Sequence, residues 1–80
     1  MKDIKQYNEQ GELDGYRKEY FSNGKLWYEG YYKNGLRDGY WEMYYFNGNL
    51  FYKGTYINGE RTGYWEFYEH NQLHEQILYV

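Results

Sequence analysis

The sequence predicts an all-β fold, an antiparallel meander of six or seven strands formed by about three tandem 24-residue hairpin repeats. Three observations predict it: a repeat with this period, Asn-Gly pairs at regular intervals, and an aromatic-rich composition. The 80 residues include 14 Tyr, 4 Phe, 3 Trp and 10 Gly, but no Pro. Aromatic residues favour strands, and Gly supplies the positive φ of tight turns. No 3.6-residue apolar stripe occurs, so no helix is expected.

The repeat is visible directly in the sequence. Gly39-Tyr40-Trp41-Glu42 recurs as Gly63-Tyr64-Trp65-Glu66, and Gly15-Tyr16 begins an earlier copy. Residues 1–80 therefore form one repeat domain. We divide it into an N-terminal capping strand and turn at 1–14, and repeats at 15–38, 39–62 and 63–80.

Asn-Gly pairs separate the runs of alternating character. They lie at Asn23-Gly24, Asn34-Gly35, Asn47-Gly48 and Asn58-Gly59, and they alternate between two turn types. An Asn-Gly between such runs is a strong hairpin signal. We predict strands near 3–8, 16–22, 25–33, 40–46, 49–57, 64–70 and 73–79.

The turns also predict a register. A two-residue turn at Asn47-Gly48 places Tyr44 opposite Phe51, Glu42 opposite Lys53, and Trp41 opposite Gly54, which the indole would cover. The equivalent turn at Asn23-Gly24 pairs Tyr20 with Trp27 and Lys18 with Glu29, so the charges match across both hairpins. The second turn type, at Asn34-Gly35 and Asn58-Gly59, predicts the pairs Trp41–Tyr28, Met43–Leu26, Trp65–Tyr52 and Phe67–Leu50.

Alternation along these strands gives the sheet two faces. Face A is the expected core and comprises Phe21, Leu26, Tyr28, Tyr32, Trp41, Met43, Tyr45, Leu50, Tyr52, Tyr56, Trp65, Phe67, Leu73, Ile77 and Tyr79. Face B mixes aromatic with charged residues and comprises Tyr16, Tyr20, Trp27, Tyr31, Tyr40, Tyr44, Phe51, Tyr64 and Tyr68, with Lys18, Glu29, Glu42, Lys53 and Glu66.

These residues carry a family resemblance. A MORN repeat is what the sequence pattern resembles: Gly-Tyr-Trp-Glu-x-Tyr, followed by Asn-Gly-x-Leu and then by Gly-x-Tyr-x-Asn-Gly. It is most similar to the bacterial MORN-repeat variant of antitoxin-like proteins in toxin–antitoxin systems. The resemblance covers about residues 11–80 and implies a protein-binding, dimerising or membrane-proximal module. Two departures are Arg17 in place of Trp, which suggests an N-terminal cap, and Gln72 in place of the turn Gly, which suggests an altered last hairpin.

Composition and charge disfavour several function classes. The net charge is −3 and the basic residues are spread along the chain, which disfavours binding to nucleic acid or anionic lipid. The absence of Cys fits a cytoplasmic protein and excludes disulfides and thiolate metal sites. Residues 1–15 contain four acidic residues and no apolar run, so no secretory signal is expected there.

Catalysis and metal binding find little support in the residue types. Ser22, the sole Ser, lies beside a turn, and no nucleophile motif surrounds it. His70 and His74 could offer metal ligands, but solvent-exposed residues near a hairpin end are the simpler interpretation. The glutamates have cross-strand partners that account for them without acid–base chemistry. We expect no enzyme, no cofactor and no metal.

The sequence therefore favours a module that binds another protein, namely a toxin, effector or defence enzyme. A single-layer sheet cannot cover both of its faces, and exposed aromatic patches usually mark interaction sites. The predicted partner-binding residues are Tyr20, Trp27, Tyr40, Tyr44, Phe51 and Tyr68. We hypothesise an antitoxin-like neutralising protein. The alternatives are a phage-encoded inhibitor of a bacterial defence enzyme and a self-assembling scaffold, and a homodimer through a sheet edge or face is possible.

Overall fold

The computed structural model describes residues 6–80, which form one six-stranded antiparallel sheet with the strands in chain order. The strands are β1 (Gly15–Tyr20), β2 (Leu26–Lys33), β3 (Leu36–Tyr44), β4 (Leu50–Ile57), β5 (Glu60–Glu69) and β6 (Gln72–Tyr79). The predicted all-β meander is confirmed. Within residues 6–80, no helix is long and apolar enough to cross a membrane.

The predicted first strand, at 3–8, is not found in its described part. Residues 3–5 of that prediction lie outside the described residues. Within 6–8, Tyr7 forms one isolated antiparallel bridge to Leu13. The Gln6 side chain accepts the Tyr16 backbone N–H (3.2 Å), so this segment meets β1 at one point instead of adding a strand to the sheet.

The two turn types exist, but the two-residue turn predicted at Asn47-Gly48 is wrong. Asn34-Gly35 and Asn58-Gly59 have positive φ at both residues, which defines a two-residue type I′ turn. At Asn47-Gly48 only the glycine has positive φ, and Tyr45 N–H donates to the Asn49 carbonyl (2.8 Å). That is a three-residue loop closed by a glycine bulge.

Because of this difference in loop length, the predicted register of the β1–β2 and β3–β4 pairs is right in the middle of the strands and wrong next to the loops. The charge pairs Lys18–Glu29 and Glu42–Lys53 are confirmed. The predicted pair Tyr44–Phe51 is wrong because the longer loop adds a bulge, and Tyr44 pairs with Leu50. By the same mechanism Tyr20 pairs with Leu26 and not with Trp27.

The pairing across the type I′ hairpins is also shifted. Tyr28 pairs with Met43, and Trp41 pairs with Gly30, so the predicted pair Trp41–Tyr28 is wrong. Phe67 pairs with Tyr52, which also overturns the predicted pairs Phe67–Leu50 and Trp65–Tyr52. The cause is one bulge in β3 around Gly39 and another in β5 around Gly63, where both glycines have positive φ. Each bulge places extra residues of one strand opposite its neighbour, which alternation alone does not predict.

The core is a row of aromatic rings on face A, centred on two indoles. Trp41 and Trp65 are fully buried, and Tyr56 lies between them with its ring edge-on to both, at centroid distances of 5.9 and 4.9 Å. Other rings pack around these three: Tyr28, Tyr32, Tyr52, Phe67 and Tyr79. Face A is therefore the core side, as predicted.

Each indole lies directly over a glycine of the preceding strand. A Cβ on Gly30 would come within 2.2 Å of the Trp41 ring, and a Cβ on Gly54 within 2.2 Å of the Trp65 ring. The prediction that Trp41 covers Gly54 is therefore wrong, although the two residues are paired in register. Each ring leans toward the preceding strand, where its Nε1–H donates to a backbone carbonyl, that of Tyr31 for Trp41 (2.9 Å).

The guanidinium groups of two arginines pack over this aromatic row. Arg37 lies 4.8 Å from the Trp41 ring and donates to the Tyr56 hydroxyl (2.9 Å). Arg61 repeats both contacts with Trp65 (4.8 Å) and the Tyr79 hydroxyl (2.9 Å). A guanidinium can cover an aromatic face while its donors remain solvated. The arginines thus shield indoles that no second layer covers.

Successive repeats are also joined at the type I′ turns. The Asn34 N–H donates to the Asp14 carboxylate (3.1 Å), and the Asn58 N–H donates to Asp38 (3.0 Å). The adjacent Gly59 N–H donates to the Arg37 carbonyl (2.7 Å). Each turn is therefore held by the repeat before it, which makes the hairpins stack in one direction.

We predict that Gly54→Ala lowers the free energy of unfolding by about 1–3 kcal/mol, because the new methyl group overlaps the buried Trp65 ring. Thr55→Ala on the same strand is the matched control and should cost less than about 1 kcal/mol. Urea unfolding followed by tryptophan fluorescence measures both. Equal midpoints for Gly54→Ala and the wild type would show that the indole does not need the bare backbone.

Candidate functional site

Face B is organised by a row of polar side chains that crosses all six strands. The cross-strand pairs Lys18–Glu29, Glu29–Glu42, Glu42–Lys53, Lys53–Glu66 and Glu66–Gln76 make it continuous. Lys18 lies 3.8 Å from Glu29, and Lys53 lies 3.5 Å from Glu66. One pair, Glu29–Glu42, places two carboxylates opposite each other.

Tyrosines flank this row on both sides and donate hydrogen bonds to its carboxylates. The Tyr16 hydroxyl donates to Glu29 (2.9 Å), and the Tyr68 hydroxyl donates to Glu66 (2.8 Å). Glu42 accepts two such bonds, from Tyr40 (2.8 Å) and Tyr44 (2.6 Å). The bonds fix the positions of these four hydroxyls, so face B is a preorganised surface.

The same contacts keep these phenols protonated. Burial, and then the hydrogen bond to Glu42, raise the pKa of Tyr40 and of Tyr44 above the ordinary value of 10.0. Burial and the bond to Glu29 raise the pKa of Tyr16 in the same way. For Tyr68 the bond to Glu66 is the main cause of the raised pKa. At neutral pH these groups are hydrogen-bond donors, which suits recognition better than general-base chemistry.

The structure divides the six predicted partner-binding residues into two groups. Tyr40, Tyr44 and Tyr68 bond to the glutamates of the polar row, and Tyr20 lies close enough to Tyr16 to raise its pKa. These four share face B as predicted.

Trp27 and Phe51 belong to a different environment. Trp27 packs on Phe21 (centroids 5.8 Å apart), and Phe51 stacks on Tyr45 (4.5 Å). Phe21 and Tyr45 are face A residues at the three-residue loops. Prediction from alternation alone placed Trp27 and Phe51 in the Tyr row of face B, but the bulges that take them out of the register turn their rings toward the loops.

Sequence reasoning missed Tyr31 and Tyr64 as binding candidates, although it placed both on face B. They are among the more exposed aromatic residues there, at 49% and 64%. The signal that could have found them is the pairing Tyr16–Tyr31 and the position of Tyr64 one period after Tyr40. Both residues extend the tyrosine row on the side of the type I′ turns.

The histidines lie at the β5–β6 hairpin. His70 and Asn71 form its two-residue turn, both with positive φ, so the altered last hairpin expected from Gln72 is confirmed. His74 lies in a bulge opposite Tyr68 and Phe67, with Nδ1 3.7 Å from Glu69. No group of three or more potential metal ligands occurs in the part of the chain that the structure describes.

The MORN repeat variant family matches residues 13–34 and 37–58, together more than half of the chain. The chain belongs to the MORN-repeat family. The two matched segments begin one 24-residue period apart and contain the paired hairpins of β1–β2 and β3–β4. No curated protein matches the sequence.

We predict that Glu42→Gln lowers the pKa of Tyr40 and Tyr44 toward 10.0, because the carboxylate that accepts both hydroxyl protons loses its charge. Glu60→Gln, beside the Asn58-Gly59 turn, is the control. Phenolate absorbance across an alkaline titration measures the shift. In the wild type, stability should be retained up to about pH 10 and fall above it, because the unfolded tyrosines ionise first. An unchanged titration in Glu42→Gln would show that the carboxylate does not hold these protons.

Proposed function

We propose that this MORN-repeat protein is a non-catalytic binding module that neutralises a toxin or effector by stoichiometric binding through face B. One observation carries the proposal: face B is an open, preorganised surface of tyrosines around a polar row, and within residues 6–80 no second layer lies over it. The principal-axis extents of 40 × 36 × 11 Å are those of a sheet one layer thick.

The chemistry of face B suits a protein partner. Tyr40 is 46% exposed, and Tyr31 and Tyr64 are more exposed still. Tyrosine gives a rigid contact area with a polar tip, which is why it is frequent among residues that dominate binding energy. The hydroxyls of Tyr16, Tyr40, Tyr44 and Tyr68 are already oriented by Glu29, Glu42 and Glu66, so these side chains would lose little entropy on binding.

The negative charge of the chain supports the same interpretation. The net charge is −3, and the polar row contains more carboxylates than ammonium groups. A basic protein surface is a better electrostatic match for it than a nucleic acid or an anionic membrane. We expect the encounter to occur in the cytoplasm and to cover a functional surface of the partner.

A self-assembling scaffold is the second candidate, and one feature favours it. β6 ends the strand order and has a sheet neighbour on one side only, with Leu73 and Leu78 more than half exposed. An edge strand of this kind can pair with another copy. Light scattering across a concentration series separates the two: the scaffold requires growing oligomers, whereas the neutralising protein requires a defined complex with its partner.

The proposed function is tested by co-expression with the toxic product of an adjacent gene. Growth should be rescued, and size-exclusion chromatography with light scattering should give a complex of fixed stoichiometry. The double variant Tyr40→Ala/Tyr44→Ala should weaken binding by about 2 kcal/mol or more, as loss of interface anchors does.

Phe46→Ala is the matched control, because Phe46 is an aromatic residue that is more exposed (57%) than Tyr40 (46%) and lies in the Asn47-Gly48 loop outside face B. It should bind like the wild type. Rescue that survives the double variant but is lost in Phe46→Ala would place the contact at the loops. Failure of the wild type to form any complex would overturn the proposed function.

A further inference from the structure

Two clefts on face B occupy equivalent positions in successive repeats. The first has a volume of about 350 Å³ and is lined by Tyr16, Glu29, Gly30, Tyr31 and Tyr40. The second, of about 200 Å³, is lined by Tyr40, Lys53, Gly54, Thr55, Tyr64 and Glu66. Each residue of the first has its counterpart in the second one 24-residue period later. The backbone of a glycine lines both clefts, and an indole packs against the other side of that glycine.

The two clefts differ at two of these positions. The first has Glu29 where the second has Lys53, and Tyr31 where the second has Thr55. The first cleft therefore has one carboxylate and three phenol rings, whereas the second has two phenols and an ammonium group that pairs with the Glu66 carboxylate. Tyr16 and Tyr31 pack together in the first (centroids 5.3 Å apart), which gives it a continuous aromatic wall.

The carboxylate of the first cleft is also left with an unfavourable neighbour. Glu29 lies directly opposite Glu42, whereas the equivalent pair of the next repeat is Lys53 opposite Glu66. Like charges directly across two strands destabilise a sheet. Lys18 compensates only in part, since its Nζ is 3.8 Å from Glu29. A position that breaks a local rule which the next repeat obeys is typical of a functional site.

A carboxylate beside an aromatic wall is a receptor for an organic cation. Phenol rings attract a cation to their faces, and carboxylates accept its hydrogen bonds. Tyr16 and Lys18 both contact Oε2 of Glu29, which leaves Oε1 as the acceptor for an incoming donor. A guanidinium fits best, because its plane stacks on a ring while its edge donates to a carboxylate.

We propose that the first cleft binds an arginine side chain of the protein that this chain captures. The inference rests on the proposed function, because it names the chemistry of the partner residue at the centre of face B. Glu29 accepts the guanidinium, and Tyr16, Tyr31 and Tyr40 surround it. In the second cleft the Lys53 ammonium replaces the Glu29 carboxylate and already pairs with Glu66, so this cleft has no free carboxylate for a cation and serves as an internal control.

The cleft is tested first without the partner. N-acetyl-arginine amide is titrated into the isotope-labelled protein, and the neutral isostere N-acetyl-citrulline amide is titrated in parallel. Backbone amide shifts should saturate with arginine around Glu29, Gly30 and Tyr31, and should be at least about tenfold weaker with citrulline. Equal shifts with both compounds, equal shifts at Gly54 and Thr55, or no shift with arginine would overturn the proposal.

Exchange of residues between the clefts provides the second test. Glu29→Lys/Tyr31→Thr gives the first cleft the residues of the second and should abolish the arginine shifts. Lys53→Glu/Thr55→Tyr makes the reverse change and should create a second arginine site at Gly54. Circular dichroism checks the fold of each. If the first variant does not fold, the reverse variant still decides: the absence of a new site at Gly54 would count against the proposal.

The partner complex separates this inference from the proposed function. If the wild type forms a complex and Glu29→Lys weakens it by about tenfold or more, both stand. If Glu29→Lys binds the partner as well as the wild type does, the proposed function stands and the arginine cleft is wrong. If the amide probes bind as expected but no partner complex forms, the cleft stands and the neutralising function is wrong.

Discussion

The structure depends on one interaction, the packing of an indole directly on the backbone of a neighbouring strand. Trp41 on Gly30 and Trp65 on Gly54 let a sheet only one layer thick bury two whole side chains. Burial of a large aromatic side chain contributes on the order of 2–3 kcal/mol, and a small sheet has few other sources of apolar burial. A Cβ on either glycine would lift the ring away and expose it to water. The guanidinium groups of Arg37 and Arg61 then cover the ring faces that remain.

This arrangement determines what the other face can do. Because the hydrophobic stabilisation is concentrated on face A, face B is not required to form a core and can carry charges and oriented phenols. On face B a cleft lies beside Tyr16 and Tyr40 over the backbone of Gly30. The same short stretch of backbone thus contacts the indole on one side of the sheet and lines the cleft on the other.

The repeat period, the six-stranded meander and the segregation of Trp41 and Trp65 from the Tyr44–Tyr68 row could be predicted from the sequence, because they follow from residue spacing and alternation. The register could be predicted only in the middle of the β1–β2 and β3–β4 pairs, where Glu42 faces Lys53. It failed near Trp27 and Phe51, since an Asn-Gly pair does not reveal whether it closes a loop of two residues or of three. The register across the type I′ hairpins failed for a similar reason, since the sequence does not reveal the bulges at Gly39 and Gly63, where φ is positive.

Repetition also explains why the candidate site could not be found from the aromatic columns alone. Residues that recur from one copy to the next, such as Tyr32 and Tyr56, include those that each repeat needs for its own core packing. A specific contact requires positions at which the copies differ while the backbone stays the same. Glu29 and Lys53 occupy such a position: both pair in register with a glutamate of the next strand, and they present opposite charges to solvent. Because the sheet tolerates either sign there, the choice of Glu29 is free to be set by the partner.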